Sequence, residues 1–147
     1  MAFRLPQLFR RGPARRSALR STEQQPSYAP QRNGAPDPGE VVWAWVPFEE
    51  DASQGKDRPV LVLRVDTSAV TALPLTSKDH DRDEAQERRA GRIWMDVGTG
   101  EWDRQRRPSE VRLNRVLRLP VGSVRREGGP LPRPVFDAVL AAAAPYL

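Results

Sequence analysis

The stretch QGKDRPVLVL places an arginine directly in front of an apolar run. Pro59 has a fixed φ and biases Arg58 toward an extended backbone, and the buried strand predicted at 60–63 gives the side chain a rigid base. A planar guanidinium with several fixed donors suits anionic oxygens, such as those of a carboxylate or a phosphate. Arg58 is therefore a candidate for a preorganised anion-binding group. The alternative is a structural ion pair with one of three carboxylates, Asp57, Asp66 or Glu40.

Hydroxyl groups follow the next apolar run, AVTALPL at 69–75. The hydroxyl of Thr76 can hold an anionic oxygen or an attacking hydroxyl by one hydrogen bond, although Thr76 and Ser77 together also suit a simple turn. Histidine is the side chain that most readily moves protons near neutral pH, so His80 is a further catalytic candidate. The alternative for His80 is a solvated position in the charged loop KDHDRDE.

The composition excludes several classes of site. The chain has no cysteine and a single histidine, so neither disulfides nor thiolate or histidine-built metal sites are expected. No G-x-G-x-x-G, G-x-S-x-G or G-K-[ST] motif is present, and we expect no cofactor. No apolar run approaches membrane-spanning length, and we expect a soluble protein of the cytoplasm.

Charge and composition divide the chain. Residues 1–40 hold seven arginines against three acidic residues, whereas residues 41–147 hold 17 basic and 16 acidic groups. Residues 1–36 are rich in Arg, Pro, Gln and Ser and lack a hydrophobic period, which predicts a disordered basic tail. The turn signal DPGE then opens one domain over 37–147, whose 111 residues can bury a modest core.

The domain is predicted to be mainly β. Apolar and alternating patterns predict five strands, at 41–46, 58–65, 69–75, 91–98 and 109–120. The segment 76–90 is charged without an apolar stripe, which indicates a loop or a short exposed helix, and 122–130 is rich in turn residues. One helix is predicted near Pro134, with Phe136 and Val139 on its apolar face, and Pro145 ends it. The pattern is typical of a small, strongly bent antiparallel barrel with a C-terminal helix.

Several segments in this order resemble the PemK/MazF toxins of type II toxin–antitoxin modules. They are PGEVVWAWVPF, QGKDRPVLVL, VTALPLTSK, RPSEVRLNRVLRL and VFDAVLAA, spread from about Gly39 to Ala143. The chain departs from the family pattern at Ser53, where many members have Glu, and in its long N-terminal tail.

The resemblance implies an SH3-like barrel that forms a homodimer. It implies a metal-independent endoribonuclease acting on single-stranded RNA, with Arg58 and Thr76 as the catalytic pair. It also implies a cognate antitoxin that occupies the RNA groove, and operator DNA bound through the complex with that antitoxin. Candidates for RNA binding are Gln54, Gly55, Lys56, Ser77 and Lys78, which lie near the pair in the sequence, and Trp94, which falls in polar surroundings and could stack on RNA bases.

Each candidate has a simpler interpretation. Gly55 can merely permit a turn, and Trp94 and Trp102 can pack instead of stacking on RNA bases. Three loop arginines can bind phosphate or remain solvated: Arg104, Arg106 and Arg107. The same barrel can also serve as a non-catalytic module that binds nucleic acid or an antitoxin, or its tail can recruit a partner.

Overall fold

The computed structural model describes Tyr28, residues 36–77 and residues 84–147, with the backbone only at 84, 126 and 127. The elements are β1 (Glu40–Pro47), β2 (Gly55–Val65), β3 (Ala69–Thr76), α1 (Glu84–Arg89), β4 (Trp94–Gly98), β5 (Ser109–Arg112), β6 (Leu117–Pro120), β7 (Arg125–Pro130) and α2 (Arg133–Ala143). Most of the predicted tail lies outside the described residues, so the division at 36/37 stays a prediction. No helix in the described ranges is long and apolar enough to cross a membrane.

The seven strands form one curled antiparallel sheet, in which six strands follow the order β4-β5-β3-β2-β1-β7 and β6 pairs with β3 beside this path. The edge of β3 that faces away from β2 is shared by two strands, because β6 pairs with the first half of β3 and β5 pairs with its end. The prediction of a small antiparallel barrel with a C-terminal helix is confirmed.

The central strand β2 is buried on both faces, as its continuous apolar run predicts. Leu61 and Leu63 enter one apolar cluster with Phe136 of α2, while Val60 and Val62 enter a second cluster on the other face of the sheet. All four β2 side chains are fully buried. Packing on both faces makes β2 a rigid support for the residues at its start.

The predicted strand count was wrong, because the described part of the chain forms seven strands and not five. The segment predicted as one strand at 109–120 is interrupted by a turn at 113–116, so that β5 and β6 lie along different parts of β3. The turn-rich segment before Pro130 contains β7, which pairs with β1. Backbone pairing with a distant strand decides these positions, and local composition does not report it.

The C-terminal helix begins at Arg133, with Pro134 in its first turn as predicted. Phe136 and Val139 are fully buried against the sheet. Tyr28 packs on this helix, since its ring centroid lies 5.5 Å from that of Phe136 and its hydroxyl donates to the Leu131 carbonyl at 2.9 Å. The fold therefore holds at least this residue from the predicted tail.

Candidate functional site

A polar groove of about 630 Å³ opens where the β1–β2 loop, the ends of β2 and β3, and helix α1 meet. Its lining includes six basic and three acidic side chains: Lys56, Arg58, Arg92, Arg107, Arg112, Arg115, Glu49, Glu50 and Glu87. Phe48, Pro74, Thr76, Ser77 and Trp94 complete it. The groove therefore carries an excess of positive charge in the region where the sequence predicts an anion-binding group.

Arg58 lies near the start of β2 and is half-buried in this groove. No described residue accepts a hydrogen bond from its guanidinium. The carboxylates proposed as structural partners are engaged elsewhere: Asp57 pairs with Arg125 at 3.1 Å, Asp66 with Arg118 at 2.9 Å, and Glu40 accepts from the Asp37 amide at 2.9 Å. The donors of Arg58 are thus available to a ligand.

The guanidinium of Arg58 is partly shielded from water and lies near another positive charge. Burial, followed by the charge of Arg115, lowers the pKa of Arg58, and the opposite charge of Glu50 acts against this shift. Arg115 is itself held in place, because its guanidinium donates to the Pro47 carbonyl at 2.6 Å. An anion placed between Arg58 and Arg115 would relieve their repulsion, which favours anion binding at this point.

Thr76 is adjacent to Arg58 on the neighbouring strand. Strands β2 and β3 pair with Val60 opposite Pro74. Continued by two residues, this antiparallel register sets Arg58 opposite Thr76, and both side chains line the groove together with Ser77. The pair predicted from the sequence is therefore brought together by strand pairing.

Trp94 forms part of one wall of the groove. Its indole ring has a hydrogen-bond partner at its edge and a cation over one face. The indole nitrogen donates to Glu87 Oε1 at 2.8 Å, and the guanidinium carbon of Arg112 lies 6.0 Å from the ring centroid. Glu87 of α1 also accepts from Arg92 at 2.8 and 3.0 Å. The short helix thus braces the wall.

Arg112 is the most deeply buried cation of the groove, with its side chain 7% exposed. It donates to both carboxylate oxygens of Glu49, at 3.0 and 3.2 Å, and to Asn114 at 2.6 Å. The hydrogen bond from Arg112 holds the pKa of Glu49 below its usual range. Arg112 alternates with the apolar residues Val111 and Leu113 in the sequence, yet it is buried, because a carboxylate 63 residues away compensates the burial of its charge.

The loop candidates differ in their relation to the groove. Lys56 lines it, whereas Gln54 is exposed and lies outside its lining. Gly55 is required by close packing, because a Cβ there would collide with the Val46 carbonyl oxygen and lie 2.8 Å from the Pro47 Cα. The role of Gly55 is therefore structural, because only glycine allows the start of β2 to lie against β1.

Trp102 is a core residue. It is 2% exposed, its indole donates to Ser109 Oγ at 3.0 Å, and its carbonyl accepts from the Trp43 indole at 3.0 Å. Of the two tryptophans considered for base stacking, packing therefore accounts for Trp102, and Trp94 is the one in the groove. Among the loop arginines, only Arg107 lines the groove, and it pairs with Asp103 at 2.7 Å.

Two candidates, Lys78 and His80, lie outside the described residues. The sequence reasoning in turn did not single out Glu49, Glu50, Glu87, Arg92 or Arg115 as groove residues. No local signal marks them, because they reach the groove from three separate loops and from helix α1. In the part of the chain that the structure describes, no group of three His, Cys, Asp or Glu side chains is arranged to hold a metal ion.

Residues 37–147 match the sequence model of a family described as "PemK-like, MazF-like toxin of type II toxin-antitoxin system". The chain belongs to the PemK/MazF toxin family. The resemblance seen in its motifs is thereby confirmed over the whole domain.

Among solved structures, the PemK/MazF fold of this chain is similar to that in a crystal structure of MazE–MazF (Form-II) from Deinococcus radiodurans. The TM-score is 0.53 at 20% sequence identity, and the match covers 77% of this chain and 96% of that chain. A comparison with curated proteins found no match. The structural likeness concerns the fold, and the groove must be interpreted from its own residues.

Proposed function

We propose that this toxin is an endoribonuclease that cleaves single-stranded RNA without a metal ion. The observation that carries the proposal is the guanidinium of Arg58, half-buried in a cationic groove beside Thr76 and without a hydrogen-bond acceptor among the described residues. Partial burial removes part of the solvation of a cation, so a ligand that uses its free donors is favoured. An RNA phosphate meets that requirement.

RNA supplies its own nucleophile in this reaction. The 2′-oxygen attacks the adjacent phosphorus, and negative charge gathers on the phosphoryl oxygens in the transition state. Arg58 donates to those oxygens from a rigid strand, and one such donor contributes about 3 kcal/mol in a partly water-excluded site. Thr76 holds a phosphoryl oxygen or the 2′-hydroxyl through its own hydroxyl group.

The rest of the groove binds the strand. Lys56 and Ser77 line it beside the catalytic pair and contact the RNA backbone. Trp94, braced at its edge by Glu87, offers a ring on which a base stacks. Gln54 and Lys78 are proposed as further RNA contacts on the basis of their positions in the sequence.

The partners follow from the family. The solved structure that this fold resembles is a complex of MazE with MazF. By analogy with that complex, we propose that this chain binds a cognate antitoxin. We also propose that the toxin forms a homodimer, that it meets operator DNA through the antitoxin complex, and that it acts in the cytoplasm.

Cleavage of a long single-stranded RNA in excess EDTA tests the proposal. Wild type should give discrete fragments, and Arg58→Ala should slow cleavage by about 10²–10³-fold, which is the usual effect of removing one such donor. Arg133→Ala, which removes a 71% exposed arginine on α2, is the matched control and should cleave like wild type. Equal cleavage by wild type and Arg58→Ala would contradict the proposal.

The same positive groove also suits a non-catalytic module that binds nucleic acid or an antitoxin, and the excess of basic lining residues favours this second candidate. Such a module would bind RNA with an affinity that falls as salt rises, with a slope of about 0.7 per neutralised phosphate, and yield no fragments. Intact RNA in the EDTA assay, with salt-dependent binding by the same folded protein, would select it.

A further inference from the structure

The groove contains one carboxylate that differs from the others in its surroundings. Three acidic side chains line it, Glu49, Glu50 and Glu87. Glu49 is bound through both oxygens to Arg112, and Glu87 to Arg92 and Trp94. Glu50 forms no hydrogen bond or ion pair anywhere in the described ranges. It is therefore the groove carboxylate whose oxygens are available to accept a proton from a ligand.

The backbone places Glu50 firmly even though its side chain is unbonded. The loop is closed by a hydrogen bond from the Phe48 amide to the Gln54 carbonyl at 2.8 Å, and by two further backbone bonds at Asp51, of 3.1 and 3.3 Å. The acidic neighbour Asp51 is committed to this loop, since it accepts from both the amide and the hydroxyl of Ser53, at 3.1 and 2.6 Å. Glu50 thus projects from a fixed turn into the groove.

The charge of Glu50 reaches the groove on two sides. Burial and then Arg115 lower the pKa of Arg58, and the charge of Glu50 opposes that shift. The pKa of Arg92 is raised mainly by its hydrogen bond to Glu87, and the charge of Glu50 adds to that effect. These two arginines lie on separate elements, one on β2 and one just before β4. Glu50 therefore shares the groove lining with Arg58, Thr76 and Arg92 and is close enough to both arginines for its charge to act on them.

We propose that Glu50 is the general base that takes the proton from the attacking 2′-hydroxyl, a role that rests on the proposed ribonuclease activity. The 2′-oxygen forms a bond to phosphorus and its proton passes to the carboxylate of Glu50. The bond from phosphorus to the 5′-oxygen then breaks, and that oxygen takes a proton from solvent. The products are a 2′,3′-cyclic phosphate and a 5′-hydroxyl, and Glu50 returns its proton to water.

The Arg58–Thr76 pair lacks a group that accepts the proton of the 2′-hydroxyl. Arginine remains protonated under ordinary conditions and a threonine hydroxyl is a weak base, so neither readily accepts a proton. An ionised carboxylate within reach of the reacting group does so, and such a group typically contributes 10²–10⁴-fold to the rate. Glu50 thus completes a site in which Arg58 and Thr76 stabilise the transition state.

The test separates proton transfer from binding. Glu50→Gln has nearly the same shape but removes a negative charge from an RNA groove, so RNA affinity should stay the same or increase. Its single-turnover cleavage rate should nevertheless fall about 10²–10⁴-fold. Affinity is measured on an oligonucleotide that spans a mapped cleavage site and carries a 2′-deoxyribose at the attacking nucleotide.

Asp51→Asn is the matched control, because it removes a charge from the same loop at a residue outside the groove lining; it should cleave like wild type. Glu50→Asp should recover part of the lost rate, since it restores a carboxylate on a shorter side chain. If wild type cleaves, Arg58→Ala cleaves more slowly as expected, and Glu50→Gln cleaves at the wild-type rate, the role of Glu50 is overturned while the ribonuclease proposal stands. If wild type yields no fragments, the ribonuclease proposal fails, and the role of Glu50 fails with it.

Discussion

Gly55→Ala tests whether the start of β2 must lie against β1 to hold the groove residues in place. In the pairing of these strands Gly55 is opposite Pro47. A methyl group there would lie 2.7 Å from Trp45 Cζ2 and 2.8 Å from Pro47 Cα, and closest to the Val46 carbonyl oxygen. Two of these three atoms belong to the backbone of β1, which is fixed by its hydrogen bonds. The strands must therefore separate to admit the methyl group.

This geometry indicates how much Gly55→Ala should lower the free energy of unfolding. Overpacking of one methyl group typically costs about 1–3 kcal/mol, and a backbone neighbour that cannot rotate away places Gly55→Ala in the upper part of that range. In a domain of this size, each kcal/mol lowers Tm by about 4 °C or more. Cleavage should also fall by about 10–100-fold well below Tm, because the same displacement moves Lys56 and Arg58.

Thermal unfolding and urea titration measure the first effect, and single-turnover RNA cleavage measures the second. Gly122→Ala is the matched control: an added Cβ there meets no atom within 4 Å and its backbone does not have a positive φ, so the same substitution should leave Tm within about 2 °C. If Gly55→Ala unfolds with the Tm of Gly122→Ala, the close approach of β1 and β2 does not constrain this position and the reasoning is wrong.

Two further predictions concern the hairpin turn and the groove wall. The pKa of Asp66 is lowered to about 2 by hydrogen bonds from the Ser68 and Ala69 amides and then by Arg118. The stabilisation by its carboxylate is thus complete above about pH 4 and is lost as pH falls toward 2. The difference in free energy of unfolding between wild type and Asp66→Asn, measured by urea titration, should shrink over that interval. A difference that stays constant would contradict the stabilising role of the Asp66 carboxylate. Trp94→Leu should weaken RNA binding by about 5–150-fold, the equivalent of 1–3 kcal/mol of base stacking, and an unchanged Kd by fluorescence anisotropy would show that no base stacks there.

The sequence by itself determined the elements whose signals are local. The β-branched and apolar runs gave β1, β2 and β3 because side chains buried on a sheet need those residue types. Pro134 and the spacing of Phe136 and Val139 marked the C-terminal helix. The motif around Arg58 and the position of Thr76 identified the family, because both belong to short stretches with a distinctive order.

Only the tertiary structure decided which groups share the groove and what each is bonded to. Nothing in the alternating pattern around Arg112 indicates its burial, which is possible because Glu49 reaches it from a loop 63 residues away. Trp102 was a base-stacking candidate until the sheet enclosed it. Glu50 stands out only because its acidic neighbours are bonded elsewhere. Such choices depend on contacts between distant parts of the chain, whose free energy no local pattern records.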